Sequence, residues 1–173
     1  MKARVLAGSF VLVVLIVAGI VIADTTLNEL FQQLEQQYQL PPSILAKVAN
    51  VESSGNPNAG SPNAAYGMFQ FMPGTWFDAT KALYGRALNG SVRTDPVESA
   101  RVTAFWLKQA QNQAGGLIRQ ASVDTTLGLY MCHFLGTPGC TRFFQEYLRN
   151  PGQSAYAIFP KEGDANPTII KGS

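Results

Sequence analysis

The stretch "LAKVANVESSGNPNAGSPNAAYGMFQFMPGTW", residues 45–76, places a carboxylate where a helix should be apolar. Leu45, Val48 and Ala49 share one face of a predicted helix at the i, i+3, i+4 spacing, and the next position on that face is Glu52. Desolvation and the negative end of the helix dipole should both raise the pKa of such a carboxyl. It can then serve as a general acid near neutral pH, although a helix-end Glu that reaches into solvent fits the same pattern.

The rest of the chain predicts further helices and no run of alternating strands, so the expected fold class is all-α. Caps and prolines bound these helices, as where Asp95 and Pro96 supply a cap and a first-turn proline. Loops are expected where Gly, Asn, Ser and Pro concentrate. The predicted helices cover residues 27–40, 42–54, 73–84, 96–113 and 124–148, the last interrupted at 136–139, and residues 55–66, 85–94 and 151–173 are expected to be irregular.

An apolar run of 19 residues without a charge occupies positions 5–23. As a helix it would span roughly 28 Å, close to the hydrocarbon thickness of a bilayer. Lys2 and Arg4 precede the run, and basic residues favour the cytoplasmic side. We therefore expect residues 1–4 in the cytoplasm, a transmembrane anchor over 5–23, and an exported remainder.

The protein would then lie in the inner membrane as a single-pass protein with its domain in the periplasm, or in a virion membrane if a phage encodes it. A cleaved signal peptide is the competing interpretation, because residues 21–23 are small to medium in size, as a signal peptidase requires. Cleavage would release a soluble periplasmic protein.

Charge and cysteine content bear on partners and cofactors. Removing Lys2 and Arg4 from the 13 basic residues leaves 11, against 11 acidic residues. Such a neutral balance offers no basic patch, so no nucleic acid partner is expected. The two cysteines and the single histidine show no metal-ligand spacing, so neither a metal nor another cofactor is expected.

Residues 52–75 resemble the lytic transglycosylases of the goose-type lysozyme superfamily. The signature of that family is Glu-Ser at a helix end, a short polar loop, and then Gly-x-x-Gln-x-Met-Pro-x-Thr. Here Glu52-Ser53 is followed by the five matching positions Gly67, Gln70, Met72, Pro73 and Thr75. A third family segment, commonly Ala-Tyr-Asn-Ala-Gly, has its counterpart in "CHFLG", residues 132–136. This version is similar to a subgroup of phage- and secretion-associated enzymes, and the resemblance covers roughly residues 38–150.

The resemblance implies a lysozyme-like helical domain over residues 24–150 that cleaves peptidoglycan, followed by an irregular tail. The bond would be the β-1,4 linkage between N-acetylmuramic acid and N-acetylglucosamine, with Glu52 as general acid and then general base. A glycosidase normally uses two carboxylates, and no second one stands out near Glu52. The 2-acetamido group of the substrate would then supply the nucleophile, and the product would carry a 1,6-anhydro ring.

Supporting roles in substrate binding fall on seven residues around these motifs. They are Ser53, Gly67, Gln70, Met72, Tyr130, His133 and Phe134. Packing is the alternative for several of them: Met72 as core and His133 as a buried imidazole. Tyr130 and Phe134 also fit a plain apolar stripe on one helix.

Cys132 and Cys140 flank the third segment, where the family pattern has small residues such as Ala. The departure at both positions suggests a disulfide, which an oxidising compartment permits. Eight positions across a helix break can bring the Cα atoms within the roughly 4.4–6.8 Å that the bond needs. Two buried thiols that pack as small hydrophobes are the alternative.

Two other functions stay open at this point. A hydrolytic lysozyme, or muramidase, would use the same residues with water as the acceptor. A non-catalytic module could instead bind glycan as a membrane-anchored scaffold of a secretion or virion machine. Secretion, conjugation and virion assembly all need a local opening in peptidoglycan, so partners from these machines are compatible with the sequence.

Overall fold

The computed structural model describes residues 26–160, which form a helical domain. Its elements in this range are α1 (Leu27–Tyr38), α2 (Ile44–Ser53), α3 (Pro73–Tyr84), a 3₁₀ helix (Gly90–Thr94), α4 (Pro96–Gln120), α5 (Thr125–Arg149) and α6 (Ala155–Ile158). Within these residues β-pairing is limited to two isolated bridges, Gly60 with Tyr66 and Tyr66 with Phe71. The all-α prediction is therefore confirmed for the part of the chain that the structure describes.

The predicted membrane anchor, residues 5–23, lies outside the described residues. Between residues 26 and 160, no helix combines the length and the apolar character that a membrane crossing needs.

α4 is the centre of the domain, because α1, α2, α3 and α5 all pack against it. Asp95 caps its first turn by accepting hydrogen bonds from the N–H groups of Val97 and Glu98, both at 2.9 Å. The predicted end near residue 113 is wrong, since the helix runs on to Gln120. Ala114 and Ile118 are fully buried there, and their packing outweighs the roughly 1 kcal/mol per glycine that Gly115 and Gly116 cost a helix.

α5 crosses α4 closely and then bends. A Cβ at Gly128 would lie 2.5 Å from the Ile118 side chain, so only a glycine permits this approach. Gly136 has φ 68° and ψ 157°, a backbone conformation open essentially to glycine alone, and it produces the predicted interruption of the helix. A disulfide joins Cys132 to Cys140 across the bend, with their Cα atoms 4.7 Å apart.

The described part of the tail is more ordered than predicted. Ser154 caps α6, since its Oγ accepts a hydrogen bond from the N–H of Ala157 at 3.2 Å. Ile158 and Phe159 are buried, and the Phe159 ring stacks on Phe143. A four-residue helix is too short to produce a periodic pattern, so the sequence predicted an irregular segment here.

Candidate active site

α2 carries Glu52, and a carboxylate from α1 fixes the start of that helix. Glu35 is buried and accepts hydrogen bonds from the N–H groups of Ser43 at 2.8 Å and Leu45 at 2.9 Å. An anion is favoured at a helix N-terminus, where free N–H groups and the dipole both attract it. Glu35 therefore replaces the side-chain cap that Ser43 does not provide, and α2 begins at Ile44 rather than at the predicted Pro42.

Glu52 lies at the open end of the apolar face of α2. Leu45, Val48 and Ala49 are buried as predicted, whereas Glu52 is half-buried and lines a cleft. Burial raises the pKa of its carboxyl, and a hydrogen bond from the Tyr130 hydroxyl offsets part of that effect. The expected direction of the shift is confirmed, and the Tyr130 contribution is one that the sequence did not indicate.

The cleft has a volume of about 620 Å³. One wall comes from the end of α2 and the segment that leads into α3, and the other from the bend of α5 and the end of α6. The lining residues are Glu52, Ala65, Gln70, Phe71, Met72, Thr75, His133, Phe134, Leu135, Gly136, Gly139 and Phe159. Glu52 is the one carboxylate among them. Glu52, Gln70, Met72, His133 and Phe134 are thus brought together, as the family resemblance implies.

Ser53 and Gly67 lie behind this surface. The Ser53 hydroxyl is directed at two backbone carbonyls, those of Met68 at 2.8 Å and Ala49 at 3.2 Å. Gly67 is buried at φ 83°, and a Cβ there would lie 2.0 Å from the carbonyl oxygen of Arg93. The structure gives both residues a role in building the loop, and neither lines the cleft.

Gln70 and Met72 do face the cleft. Gln70 adopts φ 50°, and its side-chain amide donates hydrogen bonds to the carbonyls of Gly67 at 2.7 Å and Ala59 at 3.1 Å. Those bonds tie together the loop between α2 and α3, which forms the floor of the cleft. Met72 is 52% exposed, so it is not a core residue but an apolar surface available to a ligand.

His133 lies in the opposite wall, in surroundings that favour the neutral imidazole. Its Nε2 lies 2.9 Å from the carbonyl oxygen of Phe69, so Nε2 carries the hydrogen. Its Nδ1 is buried and has no hydrogen-bond partner among the described residues. Burial lowers the pKa of His133, which disfavours the charged form.

Phe134 and Tyr130 lie beside His133 on α5. Phe134 is 41% exposed and lines the cleft, so it is a surface residue rather than part of the core. The Tyr130 ring lines adjoining apolar pockets outside the cleft, and only its hydroxyl interacts with Glu52. Of the two predicted stacking surfaces, Phe134 is the one that the structure places in the cleft.

Arg93 is, like Glu35, a structural residue that the sequence did not indicate. Its side chain is buried, and its guanidinium donates hydrogen bonds at 2.5–2.9 Å to four backbone carbonyls: Pro62, Ala64, Phe71 and Gly90. Three of these carbonyls belong to the loop between α2 and α3, so Arg93 fixes the shape of the cleft floor. An arginine in a Gly- and Asn-rich loop is ordinarily solvated, and nothing local in the sequence reveals partners some 20–30 positions away.

Residues 26–160 contain no cluster of three or more His, Cys, Asp or Glu side chains. In comparisons with known proteins, the family model of the transglycosylase SLT domain matches residues 29–130, more than half of the chain. The matched region contains Glu52 and Gln70 and ends just before His133. A comparison with curated protein sequences finds no significant match.

Proposed function

The chain belongs to the transglycosylase SLT domain family, and on that premise we propose that it is a peptidoglycan lytic transglycosylase with Glu52 as its catalytic acid and base. The observation that carries the proposal is the position of Glu52. It is a half-buried carboxyl of raised pKa and the one carboxylate among the lining residues of a cleft of about 620 Å³.

The first step needs Glu52 in its protonated form. Glu52 donates its proton to the glycosidic oxygen as the bond from that oxygen to C1 of N-acetylmuramic acid breaks. The carbonyl oxygen of the 2-acetamido group forms a bond to C1 in the same step, so the positive charge resides on an oxazolinium ring of the substrate. One enzyme carboxyl is sufficient for this chemistry, because the substrate replaces the second carboxylate of an ordinary glycosidase.

The second step uses the carboxylate that the first step leaves. Glu52 removes the proton from the C6 hydroxyl, whose oxygen attacks C1 and displaces the acetamido oxygen. The products are a 1,6-anhydromuramyl end and a new N-acetylglucosamine end, and Glu52 is protonated again. The Tyr130 hydroxyl stabilises the ionised Glu52 between the two steps.

Delivery of the acceptor by the substrate favours the anhydro product. The C6 hydroxyl is tethered to the reacting sugar, whereas an attacking water would have to be held in place by polar side chains of the cleft such as Gln70 and Thr75. Apolar side chains, among them Met72 and Phe134, line much of the remaining surface. We therefore propose an intramolecular acceptor rather than solvent.

The test is digestion of purified peptidoglycan by the full-length protein, with mass spectrometry of the released fragments. We expect 1,6-anhydro ends, which lack one water relative to hydrolysed ends. If the fragments carry reducing ends alone, the protein is a hydrolytic lysozyme. If no new glycan ends form, the protein has no cleavage activity and the glycan-binding scaffold is the function that remains.

Glu52→Gln provides the matched control, since the amide has similar size but cannot relay a proton. We expect it to lose about 10²–10⁴-fold in kcat while it still unfolds in a single cooperative thermal transition and is no less stable than the wild-type protein. Turnover close to that of the wild-type protein would show that Glu52 is not the catalytic acid and base.

A further inference from the structure

A second cavity of about 590 Å³ adjoins the cleft across the bend of α5. Gly136 and Gly139 line the cleft, whereas the two residues between them, Thr137 and Pro138, line the second cavity. The complete lining is Ala82, Phe105, Trp106, Gln109, Gln113, Thr137 and Pro138. Nothing in the reaction described above uses these residues.

The floor of this cavity is one face of α4. Trp106, Gln109 and Gln113 follow the i, i+3, i+7 spacing, and the Phe105 ring lies beside them. Their polar groups are unused within residues 26–160: the amides of Gln109 and Gln113 make no hydrogen bond there, and the buried Trp106 Nε1 has no acceptor. A buried polar group without a partner is uncommon, so the Trp106 indole N–H is hydrogen-bonding capacity that the fold itself does not satisfy. The half-buried Gln109 and the exposed Gln113 place two further amides beside it that no other side chain or backbone group occupies.

The other tryptophan and one neighbouring glutamine of α4 do have partners. The indole N–H of Trp76 donates to the carbonyl of Asn89 at 3.2 Å, and the amide of Gln111, also on α4, donates to the carbonyl of Gln39 at 3.3 Å. The unpaired indole N–H is therefore a local property of the second cavity and is not shared by Trp76.

The composition of the wall indicates the class of ligand. Two aromatic rings provide flat apolar surface, two amides provide donors and acceptors, and none of the seven lining residues carries a charge. A saccharide matches this set, because its ring has apolar faces and its edge has hydroxyl and acetamido groups. A peptidoglycan stem peptide matches it poorly, because its ionised groups would meet no opposite charge among the lining residues.

We propose that the second cavity is a glycan-binding site that holds N-acetylhexosamine units of peptidoglycan while the cleft acts on another unit. The choice of glycan rests on the proposed function of the cleft. α3 contributes Thr75 to the cleft and Ala82 to the cavity, a separation of roughly 10 Å along the helix. A polymeric glycan is long enough to occupy both sites, and simultaneous occupation raises its effective affinity.

The direct test is a ¹H–¹⁵N NMR titration of the full-length Glu52→Gln protein with an N-acetylglucosamine tetrasaccharide. The two tryptophans give two indole signals. We expect the Trp106 signal to shift with added sugar and the Trp76 signal, from a buried and hydrogen-bonded indole, to stay in place. An unmoved Trp106 signal, or one that moves with a synthetic stem peptide but not with the sugar, would overturn the proposal.

The double variant Gln109→Ala/Gln113→Ala removes both free amides and leaves the cleft intact. We expect it to abolish the Trp106 shift and to raise KM on intact peptidoglycan about two- to tenfold, with kcat unchanged, which is the effect of one or two lost hydrogen bonds. Asn112→Ala is the matched control, because it removes an exposed side-chain amide of α4 that lies outside the cavity lining. An equal rise in KM in that control would also overturn the proposal.

The two proposals fail in different ways. If the wild-type protein releases no fragments from peptidoglycan, the proposed function fails, but the Trp106 titration in the inactive protein still reports on the cavity. If fragments are released while Trp106 does not respond to sugar, only the second site fails.

Discussion

Glu52 and Tyr130 together set the pH range of the proposed reaction. The first step requires protonated Glu52, so activity should fall on the alkaline side as pH rises through the raised pKa of this carboxyl. Tyr130→Phe removes the hydrogen bond that lowers that pKa, so the alkaline limb of kcat/KM should move to higher pH. The measurement is the pH profile of kcat/KM, with Tyr38→Phe on α1 as control. A limb that stays in place or moves to lower pH would contradict the role given to Tyr130.

The same pKa has a consequence for stability. The carboxyl is harder to ionise in the folded state than in the unfolded state. Its stabilising contribution to the free energy of unfolding is therefore fully present below the unfolded-state pKa and is lost as pH rises through the folded-state pKa. Glu52→Gln should therefore gain stability over the wild-type protein at about pH 8 but not at about pH 4. Urea unfolding at both pH values measures the difference. An equal offset at both would mean that burial of the ionised Glu52 is not the cause.

Arg93 is the residue on which the cleft floor depends. Arg93→Lys keeps the charge but cannot donate to four carbonyls in different directions, so at least one buried carbonyl loses its partner. We expect a loss of about 1–3 kcal/mol or more in the free energy of unfolding, measured by urea titration. Arg86→Lys, at an exposed arginine before the 3₁₀ helix, should change little. Equal stability of the two variants would show that the loop does not need the guanidinium.

α5 is one element made of two helical pieces, and the disulfide is a side-chain cross-link between them. Replacing both Cys132 and Cys140 by Ser should lower the free energy of unfolding by about 2–3 kcal/mol on the chain-entropy model for a short loop. It should also reduce activity, since His133 and Gly136 lie inside the closed loop and line the cleft. Thiol counting on unfolded, unreduced protein from an oxidising compartment should find none. Two titratable thiols per chain would rule out the bridge.

Elements whose signals are local were predicted well. α1, α3 and the start of α4 are marked by caps and first-turn prolines, and the bend in α5 by two glycines and a proline. The end of α4 was not predictable, because tertiary packing overrides two glycines there. The 3₁₀ helix and α6 were also missed, being too short for a periodic pattern.

The candidate site follows the same rule. Glu52 is apparent from its place on an apolar face, and the family resemblance supplied Gln70, Met72, His133 and Phe134. Glu35 and Arg93 were not found, because their hydrogen bonds are made to backbone groups that only the fold brings near them. A motif identifies the residues that line a site. Residues that support the site from outside the motif can be identified only from the tertiary structure.

For the whole molecule, we propose that the domain works outside the cytoplasm while anchored by residues 5–23. The full-length chain should then appear in the membrane fraction at the mass of all 173 residues. The mature N-terminus, determined by mass spectrometry, is the measurement. A soluble form that begins at Asp24 would show that the segment is a cleaved signal peptide. An Asp placed within the apolar run is the matched control, since it should weaken membrane retention without touching the domain.

The contacts of Arg93 also determine which parts of this chain can be exchanged between proteins. Its side chain is fixed to the carbonyls of Pro62, Ala64 and Phe71, and its own backbone leaves no room for a side chain at Gly67. The loop between α2 and α3 and the 3₁₀ helix therefore form one structural unit, although α3 and the loop after it separate them in the sequence. A chimera that transplants the loop into another helical scaffold must carry residues 90–94 with it, because the loop's shape is encoded in both segments.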